Sequence, residues 1–168
     1  MAHELFTIGH SNHPFERFVE LVTRHGIQLV CDVRSTPYSR FNPQFNREPL
    51  QTALTACGIA YLYLGDSLGG KPHESGYPAD EAARFALIAK GDRFRVGLER
   101  LLLESRARRT AIMCAEKDPA CCHRGLLICP NFPEEVKVSH ILADGSLTEH
   151  LEPESHAAGD DHGQQQLF

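Results

Sequence analysis

No apolar run in this sequence approaches the ~20 residues that a membrane span needs, which excludes a helical membrane protein as the first reading. The opening residues, Met1-Ala2-His3-Glu4-Leu5, lack the basic and apolar regions of a secretion signal and pass directly into strand-like sequence. A cytoplasmic location is therefore expected. Paired C-x-x-C knuckles are missing too, although six cysteines are present. Without export, these six predict free thiols rather than a disulfide framework. Excess positive charge is also lacking. The formal net charge is −5, which removes any global electrostatic argument for nucleic acid. Finally, Gly69-Gly70-Lys71-Pro72 is not a nucleotide-binding Walker loop, because the glycine spacing and the trailing Ser or Thr are absent. There is no internal repeat.

What is present is a strand–helix alternation. Leu5-Phe6-Thr7-Ile8-Gly9 is a short apolar strand stopped by glycine. Residues Pro14 to His25 carry Phe15, Phe18, Val19 and Val22 at helical spacing, and Leu29-Val30-Cys31-Asp32-Val33 is a second strand. A Pro-, Asn-, Ser- and Arg-rich loop is expected over 34–49, then a helix from Pro49 to Cys57 and a third strand from Ile59 to Leu64. A second irregular loop spans 65–79. Helices follow at about 80–89 and 92–106, a fourth strand at Thr110–Cys114, a helix near His123–Cys129 and a fifth strand at Val136–Leu142. The pattern predicts one α/β domain over residues 1–151, with a mostly parallel sheet flanked by helices. From about residue 152 the sequence is polar and predicts a disordered tail, 152–168.

In open parallel sheets, ligands bind beyond the carboxyl ends of the strands. The polar residues of this chain gather there. Asp32 and Arg34 flank one apolar residue and so share a side of their strand, as a salt bridge or as a base beside an anion clamp. The loop behind them offers Tyr38, Arg40, Phe41, Phe45 and Arg47, an interleaving of arginine and aromatic side chains that suits phosphates and stacked bases but also an ordinary packed loop. The fourth strand delivers Cys114 and Glu116, and a proline turn leads to Cys122-His123-Arg124 at a helix start, where an anion or a thiolate is favoured. A cysteine nucleophile with neighbouring His and Glu is chemically coherent. Zinc or an iron–sulfur cluster on Cys114, Cys121, Cys122 and His123 is the competing reading. The missing knuckles weigh against it, so no cofactor is expected. Two buried cysteines with a structural histidine is the plain alternative.

Taken together, Thr7-Ile8-Gly9-His10-Ser11-Asn12, Asp32-Val33-Arg34 with Pro37 and Ser39-Arg40, Leu64-Gly65 with Leu68-Gly69-Gly70, Cys114-Ala-Glu116 with Cys122-His123-Arg124, and His140-Ile141 with Asp144-Gly145 resemble the family called domain of unknown function 488. The resemblance covers about residues 5–146. It implies a compact α/β fold and brings no settled reaction. The candidate catalytic residues are Asp32, Cys114, Glu116, Cys122, His123 and His10. The candidate substrate- or anion-binding residues are Ser11, Arg34, Tyr38, Arg40, Lys71 and Arg124.

The chain ends Gln164-Gln165-Gln166-Leu167-Phe168, which resembles the peptide that binds the bacterial sliding clamp. Gln164, Leu167 and Phe168 match that pattern, whereas Gln165 stands where Leu is usual. The leading expectation is a DNA-processing or DNA-repair enzyme that acts on a nucleotide or damaged base and is recruited to the clamp. A hydrolase or transferase acting on a small phosphorylated or nucleotide-like metabolite is the alternative. A non-catalytic adaptor for nucleic acid and the clamp is the third reading.

Overall fold

The computed structural model describes residues 3–151. The tail from 152, with Gln164, Leu167 and Phe168, lies outside the described residues. Six strands form one sheet: β1 (His3–Gly9), β2 (Leu29–Asp32), β3 (Ala60–Tyr63), β4 (Thr110–Cys114), β5 (Val136–Ile141) and β6 (Leu147–Glu149). Their order is β3-β2-β4-β1-β5-β6, and only the β5–β6 pairing is antiparallel. The helices are α1 (Phe15–Arg24), α2 (Arg47–Ala56), α3 (Gly65–Leu68), α4 (Glu81–Ala89) and α5 (Asp92–Ala107), with a π-helix at Arg124–Ile128. No helix among the described residues is long and apolar enough to cross a membrane.

The period-2 alternation of the strands explains the three layers. Phe6, Ile8, Val30, Ala111 and Met113 face Phe18, Leu21 and Val22 of α1 and Leu50 and Leu54 of α2. Leu5, Leu29, Cys31, Ile112 and Cys114 face the other way, onto Leu68, Ile88, Phe94, Leu101, Leu127 and Ile128. Both faces are covered, as parallel pairing with helical crossovers requires.

The topology positions the site. From β2 the chain moves outward to β3, whereas from β4 it moves past β1 to β5. The two adjacent strands thus send their connections in opposite directions, and a crevice opens between their carboxyl ends. Ladder hydrogen bonds continue beyond the strands there: the His10 N–H reaches the Cys114 carbonyl at 2.9 Å, and the Val33 N–H reaches that of Met113 at 3.0 Å.

Three elements differ from the sequence reading. α2 begins at Arg47 rather than Pro49, so the proline falls within its first turn, where a missing N–H costs nothing. The loop at 65–79 opens with a single helical turn, α3. The apolar and helical patterns around Cys31 and Cys57 suggest two small core residues; Cys31 is buried, whereas Cys57 is the exposed residue that ends α2.

Gly9 shows how tightly the strand ends meet. A Cβ placed there would overlap the backbone carbonyl of Glu116 and lie 3.0 Å from the Arg124 guanidinium. Gly9→Ala should therefore cost about 3 kcal/mol, the upper range for overpacking. Urea unfolding would measure this, and a change below about 1 kcal/mol would show that the 115–118 turn yields freely.

Candidate active-site crevice

Cys114 closes β4 on the α3–α5 side of the sheet, and Cys122 arrives from the following turn to face it. Their sulfurs are 2.6 Å apart, and both cysteines are buried. Arg124, the first residue of the π-helix, is also completely buried. Its Nε donates to Cys114 Sγ at 3.0 Å, one terminal nitrogen donates to Thr7 Oγ1, and the other donates to the carbonyls of Glu116 (3.0 Å) and Lys117 (3.2 Å). No carboxylate is among these partners. A buried guanidinium needs an anion, and the sulfur of Cys114 is the group placed to supply one. Burial raises the Cys114 pKa, but the hydrogen bond from Cys122 and the charge and hydrogen bond of Arg124 outweigh it, so the thiol is lowered from 9.0 to about 7. The same contact, with burial, pushes the Cys122 thiol up. Arg124 thus favours the charge on Cys114 and leaves the shared proton to Cys122.

His123 completes this side. Its Nε2 donates to the Val33 carbonyl at 2.8 Å, which leaves Nδ1 as an acceptor 3.7 Å from Cys122 Sγ. Burial lowers its pKa from 6.5 to about 4, so the ring is neutral at pH 7. Thr7, having accepted from Arg124, is left to donate to His140 Nδ1 at 2.6 Å, and His140 Nε2 meets His150 Nδ1 at 3.1 Å. Thr7 and His140 were not singled out in the sequence as site residues. The available signal was a polar residue in each of two covered strands, and Thr7 and His140 are register partners.

Asp32, Arg34 and His10 form a second group, rooted on the α1–α2 side. Arg34 Nε and one terminal nitrogen donate to the two Asp32 oxygens at 2.9 and 2.7 Å. The same terminal nitrogen reaches the Phe45 carbonyl, and Tyr61 donates its hydroxyl to Asp32 at 2.6 Å. His10 Nδ1 donates to the Ser11 carbonyl, so its Nε2 accepts from Arg34 at 3.2 Å, and its ring stacks on Phe45. Burial holds His10 at about 4 instead of 6.5. Asp32 and His10 therefore have their polar atoms committed to holding Arg34, and act on the site through it. Removing the charge in Asp32→Asn leaves that buried guanidinium unpaired and should cost about 3–5 kcal/mol. A thermal or urea unfolding comparison would read this, with a loss under 1 kcal/mol counting against the pair's structural weight.

The two groups meet at the crevice, whose volume is about 370 Å³. Arg34, Lys71, Arg84, Glu116, Cys114, Cys122 and His123 all line it. One wall is the 65–79 loop, which is pinned rather than free: the Lys71 N–H donates to Ser35 Oγ at 2.9 Å, His73 donates to the Ser35 carbonyl, and Arg84 Nε donates to the Gly70 carbonyl. Glu116 is exposed, and its carboxylate makes no hydrogen bond among the described residues that ties it elsewhere.

Other expected binding residues lie apart. Arg124 sits behind the crevice, bound to sulfur and carbonyls instead of facing a ligand. Ser11, in a left-handed turn at φ 48°, contacts Asn12. Tyr38 donates to Glu48, and Arg40 lies over the exposed Phe41 ring. The segment 84–109 is rich in arginine, and most of these arginines face acids: Arg95 to Asp92 and Glu99, Arg100 and Arg108 to Glu104, Arg109 to Glu4, and Arg93 to Glu74. That face is a set of surface ion pairs, not an open phosphate track.

No group of three or more metal-ligating side chains occurs among the described residues. In comparisons with known proteins, the model of a family described as domain of unknown function DUF488 matches residues 14–129. Neither a curated protein nor a solved structure matches the chain.

Proposed function

The chain belongs to the family of domain of unknown function DUF488, whose matched stretch contains every residue that lines the crevice, and on that footing we propose that it is an enzyme using a cysteine thiolate on a nucleotide or on a nucleotide unit of DNA. The observation that carries the proposal is the buried, carboxylate-free Arg124 held against Cys114. Besides the hydrogen bonds by which it ties Thr7 and the 116–117 carbonyls together, this charge has a chemical use, because it favours the thiolate, and the thiolate and not the thiol is the nucleophile.

The crevice supports an anionic substrate of nucleotide size. Pockets of ~300–1,000 Å³ take small organic ligands, and this one is about 370 Å³, with Lys71, Arg34 and an Arg84 paired to Glu81 on its walls beside Glu116. Three of the four hydrogen bonds that engage Arg34 tie its Nε and one terminal nitrogen to Asp32 and Phe45, and the other terminal nitrogen makes one, to His10. A further N–H on that nitrogen is available to a phosphate oxygen. The Cys114 thiolate attacks the electrophilic centre and the bond from that centre to the leaving group breaks; the solvent-exposed Glu116 relays a solvent proton to the leaving group and then takes one from the water that displaces Cys114. Free thiols of this kind persist in a reducing cytoplasm.

Lys71→Glu tests the substrate class. A lost charge-assisted contact should weaken binding of nucleoside monophosphates roughly tenfold, with the melting temperature unchanged, since the Lys71 side chain is exposed. Calorimetry that finds equal binding, or none to either protein, would refute the nucleotide reading.

Recruitment to DNA replication rests on the tail sequence. A tail with Leu167 and Phe168 as two apolar anchors and Gln164 to fix register suits the pocket of a bacterial sliding clamp. A roughly micromolar affinity is expected once the cost of ordering the tail is included. Leu167→Ala with Phe168→Ala should abolish clamp binding and leave folding intact. Equal clamp binding by both proteins, or none by either, removes the DNA-repair setting and leaves the small-metabolite enzyme.

A further inference from the structure

We infer that Cys114 and Cys122 form a reversible dithiol–disulfide couple that a small peroxide oxidises, so that this site is also a redox modification site.

The geometry is already that of a pair. The sulfurs lie 2.6 Å apart, so a bond of about 2.05 Å needs little movement. One sulfur carries the charge and the other carries the proton. That is the division of labour between an attacking and a resolving thiol, and redox-sensing cysteines are often set beside a resolving partner. His123 Nδ1 is an acceptor next to Cys122, 3.7 Å from its sulfur. The oxidant is selected by access. Cys114 and Cys122 are 1% and 3% exposed and both line the crevice, from which an oxidant as small as hydrogen peroxide reaches the sulfur.

The Cys114 thiolate attacks one peroxide oxygen, an S–O bond forms, the O–O bond breaks, and hydroxide leaves and takes a solvent proton. Cys114 is then a sulfenic acid, oxidised by two electrons, and the peroxide is reduced. Cys122 gives up its proton and attacks the Cys114 sulfur. The S–S bond forms and the S–O bond breaks, and the departing hydroxide takes that proton as water. One dithiol and one hydrogen peroxide become one disulfide and two waters.

The disulfide removes the sulfur anion to which the Arg124 Nε donates. The buried guanidinium then lacks its counter-charge, which makes the oxidised state costly and hence easily reduced. The inference does not depend on the nucleotide reading, and its test needs no substrate.

The full-length protein is treated with graded hydrogen peroxide and mapped by mass spectrometry. The expected result is a cross-linked peptide joining Cys114 to Cys122, a loss of two of the six thiols, and full reversal by dithiothreitol. In Cys122→Ser, Cys114 should stop at sulfenic acid and be trapped by dimedone. Oxidation confined to the exposed Cys57 and Cys121, a cross-link through Cys121 instead, or irreversible sulfinic acid at Cys114 in the wild type would each overturn the inference. So would a folded Cys122→Ser protein in which dimedone labels nothing at Cys114.

Discussion

Arg124→Met is expected to lose about 3–5 kcal/mol of stability, the range seen when one partner of a buried charged pair is removed. The substitution fills much of the space but returns none of the hydrogen bonds. It strands the Thr7 hydroxyl, the carbonyls of Glu116 and Lys117 and the Cys114 sulfur. Each buried group left unsatisfied costs about 1–3 kcal/mol. Against a total of about 5–15 kcal/mol for a domain, the variant will be marginal at 37 °C, roughly the upper end of ordinary growth conditions for mesophile domains. Arg124→Lys keeps the charge but not the planar fork, so it should recover only part of the loss. Urea unfolding of the three proteins gives the order wild type, Lys, Met. If Met matched wild type, the guanidinium would not be carrying the junction between β1, β4 and the π-helix.

Acid should unfold this domain before pH 4. His10, His123 and His140 are each lowered from 6.5 to about 4, in every case chiefly by burial. Below 6.5 the unfolded chain takes up protons at these three positions, and the folded chain does not until about 4. Acid therefore favours the unfolded state throughout that window, and the stability present above pH 6.5 is lost as the pH falls toward 4. One proton contributes about 1.4 kcal/mol per pH unit, so three acting together remove roughly 10 kcal/mol across the window, comparable to a domain's total of about 5–15 kcal/mol. Circular dichroism with urea midpoints at intervals between pH 7 and 4 would follow it. A stability that stayed flat to pH 4 would mean that the rings protonate in place.

The elements that sequence made legible were those with a local cause. β1, β2, β3 and β4 are short apolar runs, and Gly9 and Gly58 mark breaks beside two of them. Helical spacing of Phe15, Phe18, Val19 and Val22 reported α1, whose buried residues are Phe18, Leu21 and Val22. β6 had no such cause. Leu147, Thr148 and Glu149 are all exposed, and they are a strand only because β5 offers them a free edge. The π-helix read as an ordinary helix, since nothing in Arg124-Gly-Leu-Leu-Ile specifies the wider turn. Such turns occur often at functional sites, and here the element begins at the arginine that meets Cys114.

The site was legible as an inventory and not as a wiring diagram. His10, Asp32, Arg34, Cys114 and Glu116 do gather at one sheet edge, because five parallel strands put their carboxyl ends on the same side. The alternation that separates Asp32 from Cys114 by face was also readable in principle. What sequence could not convey was which cations are spent. Arg34 and Arg124 look alike as candidate anion holders. Burial assigns one to a carboxylate and the other to a sulfur, and leaves Lys71 and Arg84 on the crevice wall.

The central claim is that Cys114 is a thiolate near neutral pH, and its titration tests that most directly. In protein labelled with carbon-13 at the cysteine β-carbons, chemical shifts followed against pH would report each thiol, with Cys114→Ser assigning the signal. One thiol should ionise near pH 7 and be missing from the variant. If every cysteine instead stays protonated up to its ordinary value of 9.0 or above, Arg124 is not holding a thiolate and the proposed nucleophile does not exist.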